Sequence, residues 1–255
     1  MQKPLILVTN DDGITAPGIR NLVEFMNELG EVVVVAPNSP QSGKGHAITI
    51  NQTLTFEEIS LEGPQTDYSL SGTPVDCVKF ALDKILDRKP DIVVSGINHG
   101  ANSSINVIYS GTMSAAVEAG VEGLQAIGFS LLDFSWDADF SQAKEYIQNI
   151  VKKVLENPLP KGVVLNVNIP KLPKDDIKGI KVCKQANAKW EENFDERINP
   201  HGKKYYWLTG YFNNMDKSED ADETALAEGY ISIVPVKFDL TAHEYLKELE
   251  QVMQF

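Results

Sequence analysis

Apolar residues fall in short dense runs separated by polar turns, and this rhythm predicts the fold. Residues 4–9 (PLILVT) form a continuous apolar run that breaks at Asn10-Asp11-Asp12, as expected of a strand covered on both faces. Pro17 suits the first turn of a helix whose apolar stripe is Ile19, Leu22, Val23, Phe25 and Met26, and Gly30 closes it. Further buried strands are predicted at 32–36 (VVVVA), 91–95 (DIVVS), 125–131 and 162–169, with helices at 74–86, 112–121 and 141–156 between them. Buried strands alternating with helices imply an α/β fold: a Rossmann-like, doubly wound, mainly parallel sheet in three layers, with right-handed crossovers. Residues 47–56 and 67–70 alternate polar with apolar and read as a side ribbon, and 96–104 (GINHGANSS) as a loop.

The pattern changes after Pro170. Residues 180–183 and 205–212 read as strands of an antiparallel β arm, and 230–236 as another strand. An amphipathic terminal helix is expected at 241–253, with Thr241 and Glu244 in capping-box spacing. The acidic run 216–223 (DKSEDADE) reads as a solvated loop. The chain thus divides into an α/β catalytic core, 1–170, and a C-terminal arm and helix, 171–255, that serves oligomerisation and can lend strands to the core.

Composition narrows the function. With 255 residues, 42% hydrophobic and 23% charged, the chain is globular and long enough to fold without disulfide or metal staples. A net charge of -13, from 36 acidic and 23 basic side chains, repels nucleic acid and anionic lipid, so neither is expected as a partner. A phosphate substrate would need a local device to overcome that repulsion. Only Cys77 and Cys183 are present, the longest apolar runs are too short to span a bilayer, and no signal-peptide pattern opens the sequence. A cytoplasmic location is the expectation.

In open parallel sheets ligands bind beyond the carboxyl ends of the strands, and three such loops are densely polar. NDDG (10–13) carries Asp11 and Asp12. Two adjacent carboxylates either cap the following helix or share a hard divalent cation that relieves their repulsion. NSPQSGKGH (38–46) carries Ser42 and Gly43, and GINHGAN (96–102) carries Asn98 and Asn102. Neutral oxygens beside two carboxylates make a compact hard-metal site. SGT occurs at 71–73 and at 110–112, each before a helix. Ser110, Gly111 and Thr112 therefore either cap a helix or present free N–H groups to an anion. The four histidines are scattered without HExxH spacing, and GxSxG, GxGxxG and GxxxxGK[ST] are all absent. Zinc-hydrolase, α/β-hydrolase, dinucleotide and P-loop chemistry are correspondingly disfavoured.

Four ordered motifs, VTNDDGITAPGI (8–19), VVAPNSPQSGKGHAIT (34–49), SGTPVDCV (71–78) and SGINHGANSSINVIYSGTMSAAVEA (95–119), closely resemble the SurE family of bacterial nucleotidases. YYWLTG (205–210) and the closing strand and helix resemble that family's C-terminal region. The resemblance implies a divalent-metal-dependent phosphatase acting on nucleoside 5′-monophosphates, on 3′-monophosphates and on short polyphosphate. It puts one divalent ion per subunit, Mg²⁺ or Mn²⁺ with Ca²⁺ as a substitute, on Asp11, Asp12, Ser42 and Asn98, and makes the two aspartates catalytic. Phosphate contacts fall on Gly43, Asn102, Ser110, Gly111 and Thr112. The stretch NPHGKKYYW (199–207) departs from relatives that carry Asp and Arg near Asn199 and His201.

Two mechanisms stay open: in-line attack by water, or a covalent phosphate on Asp11. Two other classes compete, a non-catalytic receiver-like module that binds Mg²⁺ and a nucleotide-sugar transferase. The first expects an Asp where Ser95-Gly96 stands. The second rests on fold analogy alone. Aromatic crowding at Tyr205, Tyr206, Trp207, Tyr211 and Phe212 points to a homodimer or homotetramer built through the C-terminal region. The family's exchange of C-terminal elements between subunits implies the same.

Overall fold

The computed structural model describes residues 3–253. The order is β1 (Leu5–Thr9), α1 (Pro17–Asn27), β2 (Glu31–Pro37), β3 (Phe56–Ile59), β4 (Thr66–Leu70), α2 (Pro74–Phe80), β5 (Ile92–His99), α3 (Gly111–Val121) and β6 (Ala126–Leu131). It continues with α4 (Lys144–Glu156), β7 (Val163–Ile169), β8 (Ile180–Val182), β9 (Ala188–Ile198), β10 (Lys204–Asn214), α5 (Asp222–Ala227), β11 (Ile231–Lys237) and α6 (Leu246–Val252). Nine strands form one sheet in the order β3-β4-β2-β1-β5-β6-β7-β11-β8, and β9 and β10 pair as a separate ribbon.

All five residues of β1 are buried, because helices cover both faces. Side chains on a strand alternate between faces. Ile6 and Val8 join the α1 and α4 side, while Leu7 joins the α2 and α3 side. Strands β4, β2, β1, β5, β6 and β7 run parallel, and β3 and β11 pair antiparallel to their neighbours β4 and β7. From β1 the chain steps outward to β2 and later returns to β1's other side as β5. The strand order therefore reverses between β1 and β5, and the crevice opens beyond Thr9 and Ser95. No described helix is long and apolar enough to cross a membrane.

Several local expectations are corrected. Residues 47–55 form no strand. Thr49 donates from its backbone N–H (3.0 Å) and hydroxyl (2.6 Å) to Asp76, and Thr73 Oγ1 donates to the Ala47 carbonyl (2.7 Å). The capping box of α2, made by Thr73 and Asp76, thus occupies groups that a ladder would have used. Strand β5 runs on to His99 where a loop was expected, and its register against β6 shifts between Ser95 and Asn98. Gly96 makes that possible: its φ is 125°, and a Cβ there would meet the Phe129 carbonyl at 2.3 Å.

Beyond Pro170, residues 180–182 join the main sheet beside β11 and not the arm. The true partner of β10 is β9, which the sequence pattern hid: a ribbon exposed on both faces needs no period-two apolar signal. The terminal helix is shorter than expected, and Thr241 does not cap it. Asp239 accepts from the Thr241 backbone N–H (3.0 Å) and meets His243 Nε2 (2.6 Å).

The acidic run is only partly a solvated loop. Asp222 is fully buried at the head of α5 and accepts from the N–H groups of Ser104 (2.8 Å), Ala186 (3.0 Å) and Glu223 (2.8 Å). It ties the loop after β5 to the C-terminal segment. Asp222→Ala would leave buried donors unpaired, so unfolding free energy is expected to fall by about 2–4 kcal/mol. Denaturant titration measures this, and a loss under about 0.5 kcal/mol would show that the tie is dispensable.

Candidate active site

Beyond the β1–β5 reversal lies a cleft of about 500 Å³ lined by Asp11, Asp12, Ser42, Gly43, Asn98, His99, Asn102, Ser110 and a set of aromatic side chains. A larger depression of about 660 Å³ lies beside Arg20 and Glu62. It runs along the outer side of α1 against the loop between β3 and β4, away from the reversal, and its arginine is committed to Asp67 at 2.7 Å.

The NDDG turn is shaped by Asn10, whose Nδ2 donates to the Gly13 carbonyl (2.9 Å). The turn presents Asp11, only 3% exposed, and Asp12 toward the cleft. Burial first, and then the neighbouring Asp12 charge, push the Asp11 carboxyl up to about 6, against the opposing hydrogen bond from Thr112. Thr112 Oγ1 donates that bond to Asp11 Oδ1 at 2.5 Å. Gly111 lies so close behind Asp11 that a Cβ there would stand 2.6 Å from the Asp11 Cβ. Burial also raises Asp12, while the His99 backbone N–H at 3.4 Å lowers it.

The second loop is pinned on both sides of Ser42. Gln41 N–H donates to the Asp11 carbonyl (2.7 Å), and Gly45 N–H to the Tyr109 carbonyl (3.1 Å). His46 Nε2 meets Glu118 Oε2 at 2.8 Å. Between these anchors Ser42, Gly43 and Lys44 are exposed. In the third loop Asn98 spends its Nδ2 on the carbonyls of Gly100 (2.7 Å) and His99 (3.3 Å). Its Oδ1 is left as an acceptor. Asn102 is held from behind: its N–H donates to Asn168 Oδ1 (2.8 Å), its Nδ2 donates to Ser130 Oγ (2.9 Å), and its carbonyl accepts from Asn166 Nδ2 (2.8 Å).

Of the nine residues expected from the sequence, Asp11, Asp12, Ser42, Gly43, Asn98, Asn102 and Ser110 line the cleft. Gly111 and Thr112 pack against Asp11, and Ser110 Oγ also caps α3 by accepting from Met113 N–H (3.0 Å). His99 lines the cleft, with Nδ1 on the Ser135 carbonyl (3.0 Å) and its ring stacked on Trp136. Sequence reasoning missed Ser103, Asn106, Phe134, Trp190, Phe212 and Glu223, which complete the wall. Trp190 stands on β9 and Glu223 on the acidic run, where no periodic signal marks them, while Phe212 ends the 205–212 segment that was expected only as an assembly surface.

The donor set suits a hard divalent cation. Asp11 is buried and Asp12 half-buried, the two like charges have a single short donor between them, and Ser42 and Asn98, which offer the neutral oxygens Oγ and Oδ1, line the same cleft. Among the described residues no group of three or more His, Cys, Asp or Glu side chains is placed to hold a metal. A cation here would therefore rest on two carboxylates completed by neutral oxygens.

Comparison with known proteins finds relatives along the whole chain. Residues 6–192 match the family model described as survival protein SurE. A Christiangramia forsetii protein named 5′-nucleotidase SurE is 68% identical over 97% of this chain and 96% of its own length. Its namesake from Cytophaga hutchinsonii is 59% identical over 100% of this chain and 99% of its own. The crystal structure of the SurE protein from Aquifex aeolicus superposes with a TM-score of 0.85 at 38% identity, covering 98% of this chain and 100% of that one. A sheet reversal marked by paired aspartates, the motifs that surround it and similarity along the full length converge on one assignment: the chain belongs to the SurE family.

Proposed function

We propose that the chain is a divalent-metal-dependent phosphatase that hydrolyses nucleoside 5′-monophosphates, with 3′-monophosphates and short polyphosphate as further substrates. The observation that carries this reading is the adjacent pair of buried Asp11 and half-buried Asp12 at one part of a cleft that also has aromatic walls. A phosphate ester of an aromatic nucleoside has the matching halves. The relatives' name, 5′-nucleotidase, supports it.

One Mg²⁺ or Mn²⁺ per subunit would be held by Asp11, Asp12, Ser42 and Asn98. When bound, such an ion supplies Lewis-acid polarisation of a phosphoryl oxygen and offsets the negative charge of the chain near the substrate. Thr112 keeps Asp11 in its rotamer, and Gly111 lets the head of α3 approach it. Gly43, Asn102 and Ser110 contact the phosphate from the cleft wall. Asn102, whose backbone N–H is held by Asn168, does so with its second Nδ2 hydrogen, while the backbone N–H groups of the other two stabilise charge on the transferring group.

Asp11→Asn and Asp12→Asn should each abolish metal-dependent release of phosphate from AMP while the fold persists. Near-wild-type turnover in both variants would remove the site. Stability gives an independent readout. The cation-free folded chain holds the Asp11 proton more tightly than the unfolded chain does, so its contribution is present below about pH 4 and lost as pH rises through about 6. In chelator-treated protein near pH 8, Asp11→Asn is therefore expected to raise unfolding stability by roughly 2–4 kcal/mol, a gain that vanishes near pH 4. Destabilisation near pH 8 would contradict it.

We also infer a homodimer or homotetramer built through the C-terminal region, in the cytoplasm. Phe194, Ile198, Trp207, Leu208 and Tyr211 on the ribbon are exposed, as are Leu240, Leu246, Val252 and Met253 in the terminal segment. Patches of this kind mark interfaces. Both cysteines are buried and unpaired, in keeping with a reducing compartment. Light scattering after gel filtration should give at least twice the chain mass. A monomer of full activity, unchanged by deletion of residues 241–255, would overturn this.

A further inference from the structure

Glu223 is a third carboxylate on the cleft wall, and the phosphatase reading leaves it without a role. It is displaced from the aspartate pair: among the described residues no three acidic, histidine or cysteine groups are placed to share one ion. A carboxylate that cannot help hold the cation works against a bound phosphate, because like charges repel in a partly desolvated space. Its neighbours on the wall are of another kind. Trp190 and Phe212 pack edge to face with centroids 5.6 Å apart, and Trp190 Nε1 donates to Asn106 Oδ1 (2.8 Å). Phe134 lines the same cleft. This is the apolar, aromatic part of the site, suited to a base and sugar.

Glu223 is fixed there. Ser103 Oγ donates to its Oε1 at 2.5 Å, and its own backbone N–H is held by Asp222. No described residue hydrogen-bonds Oε2, which is also not sealed from solvent, so a residue on the cleft wall keeps one carboxylate oxygen as an unused acceptor. Burial raises the Glu223 carboxyl above its ordinary range, the mark of a charge with too few donors around it. What it lacks is a neutral donor, and a nucleoside offers two kinds, ribose hydroxyls and the amino groups of bases.

Resting on the nucleotidase reading above, we propose that Glu223 is a specificity-determining residue whose Oε2 accepts a hydrogen bond from a donor on the nucleoside half of the substrate. It binds that half alike in ground and transition states, so its loss should raise KM more than it lowers kcat.

The test compares wild type, Glu223→Gln and Glu223→Ala on AMP and on p-nitrophenyl phosphate, which has no nucleoside. With Ser103 still holding the amide oxygen, glutamine turns its NH₂ toward the ligand, donor against donor, so both variants should fail alike. Their kcat/KM for AMP should drop about ten- to a hundred-fold, chiefly through KM, with the aryl phosphate unchanged or improved. Two analogues identify the donor. If it is the ribose hydroxyl, the wild-type preference for AMP over 2′-deoxy-AMP disappears in the variants. If it is the base amino group, the preference for AMP over IMP disappears. Equal losses on AMP and aryl phosphate would mean a merely structural role, and unchanged or faster AMP turnover would mean no contact. Either result overturns the proposal while leaving the nucleotidase reading intact. Wild-type activity on the aryl phosphate with none on any nucleotide would overturn both.

Discussion

Asp11 and Asp12 follow a fully buried strand to the edge of the cleft, where burial and the neighbouring Asp12 charge both make Asp11 costlier to ionise. Much of the surrounding architecture is arranged about that conflict. Thr112 at the head of α3 gives Asp11 its one short donor, and the absence of a side chain at Gly111 lets that helix come close enough to do so. The Gln41 N–H bond to the Asp11 carbonyl brings the Ser42 loop alongside. The register shift in β5 turns Asn98 toward the cleft, and its amide orientation leaves an oxygen available. An oxygen-bound cation would relieve the repulsion that these contacts leave unmet.

The parallel sheet and the residues at its reversal were legible because both carry local signals. Continuous apolar runs at β1, β2 and β5 mark strands covered on both faces, and polar loops at strand ends mark the crevice. The four ordered motifs then singled out the aspartates, Ser42 and Asn98. Gly111 and Thr112 show what motif reasoning leaves out: both pack against Asp11, a contact set by three-dimensional packing.

What stayed hidden depends on long-range contacts. Strand β9 faces solvent on both sides, so no apolar alternation announces it, and Trp190 was missed with it. Asp222 and Glu223 belong to a run that charge alone assigns to solvent. Only tertiary structure shows that Asp222 is buried beneath Ser104, more than a hundred residues earlier, while Glu223 turns into the cleft. Residues 47–55 failed as a strand for the complementary reason, since a helix cap claimed their polar groups first. The ribbon and α6 expose apolar side chains that one copy of the chain does not cover.

The central claim is that Asp11 exchanges a proton for a divalent cation. Calorimetric titration of chelator-treated protein with Mn²⁺, in buffers of different ionisation enthalpy, measures this directly. One ion per chain should bind, with most of a proton released near pH 5.5, almost none near pH 8, and tighter binding at the higher pH. Affinity independent of pH, without proton release and retained in Asp11→Asn, would contradict the account.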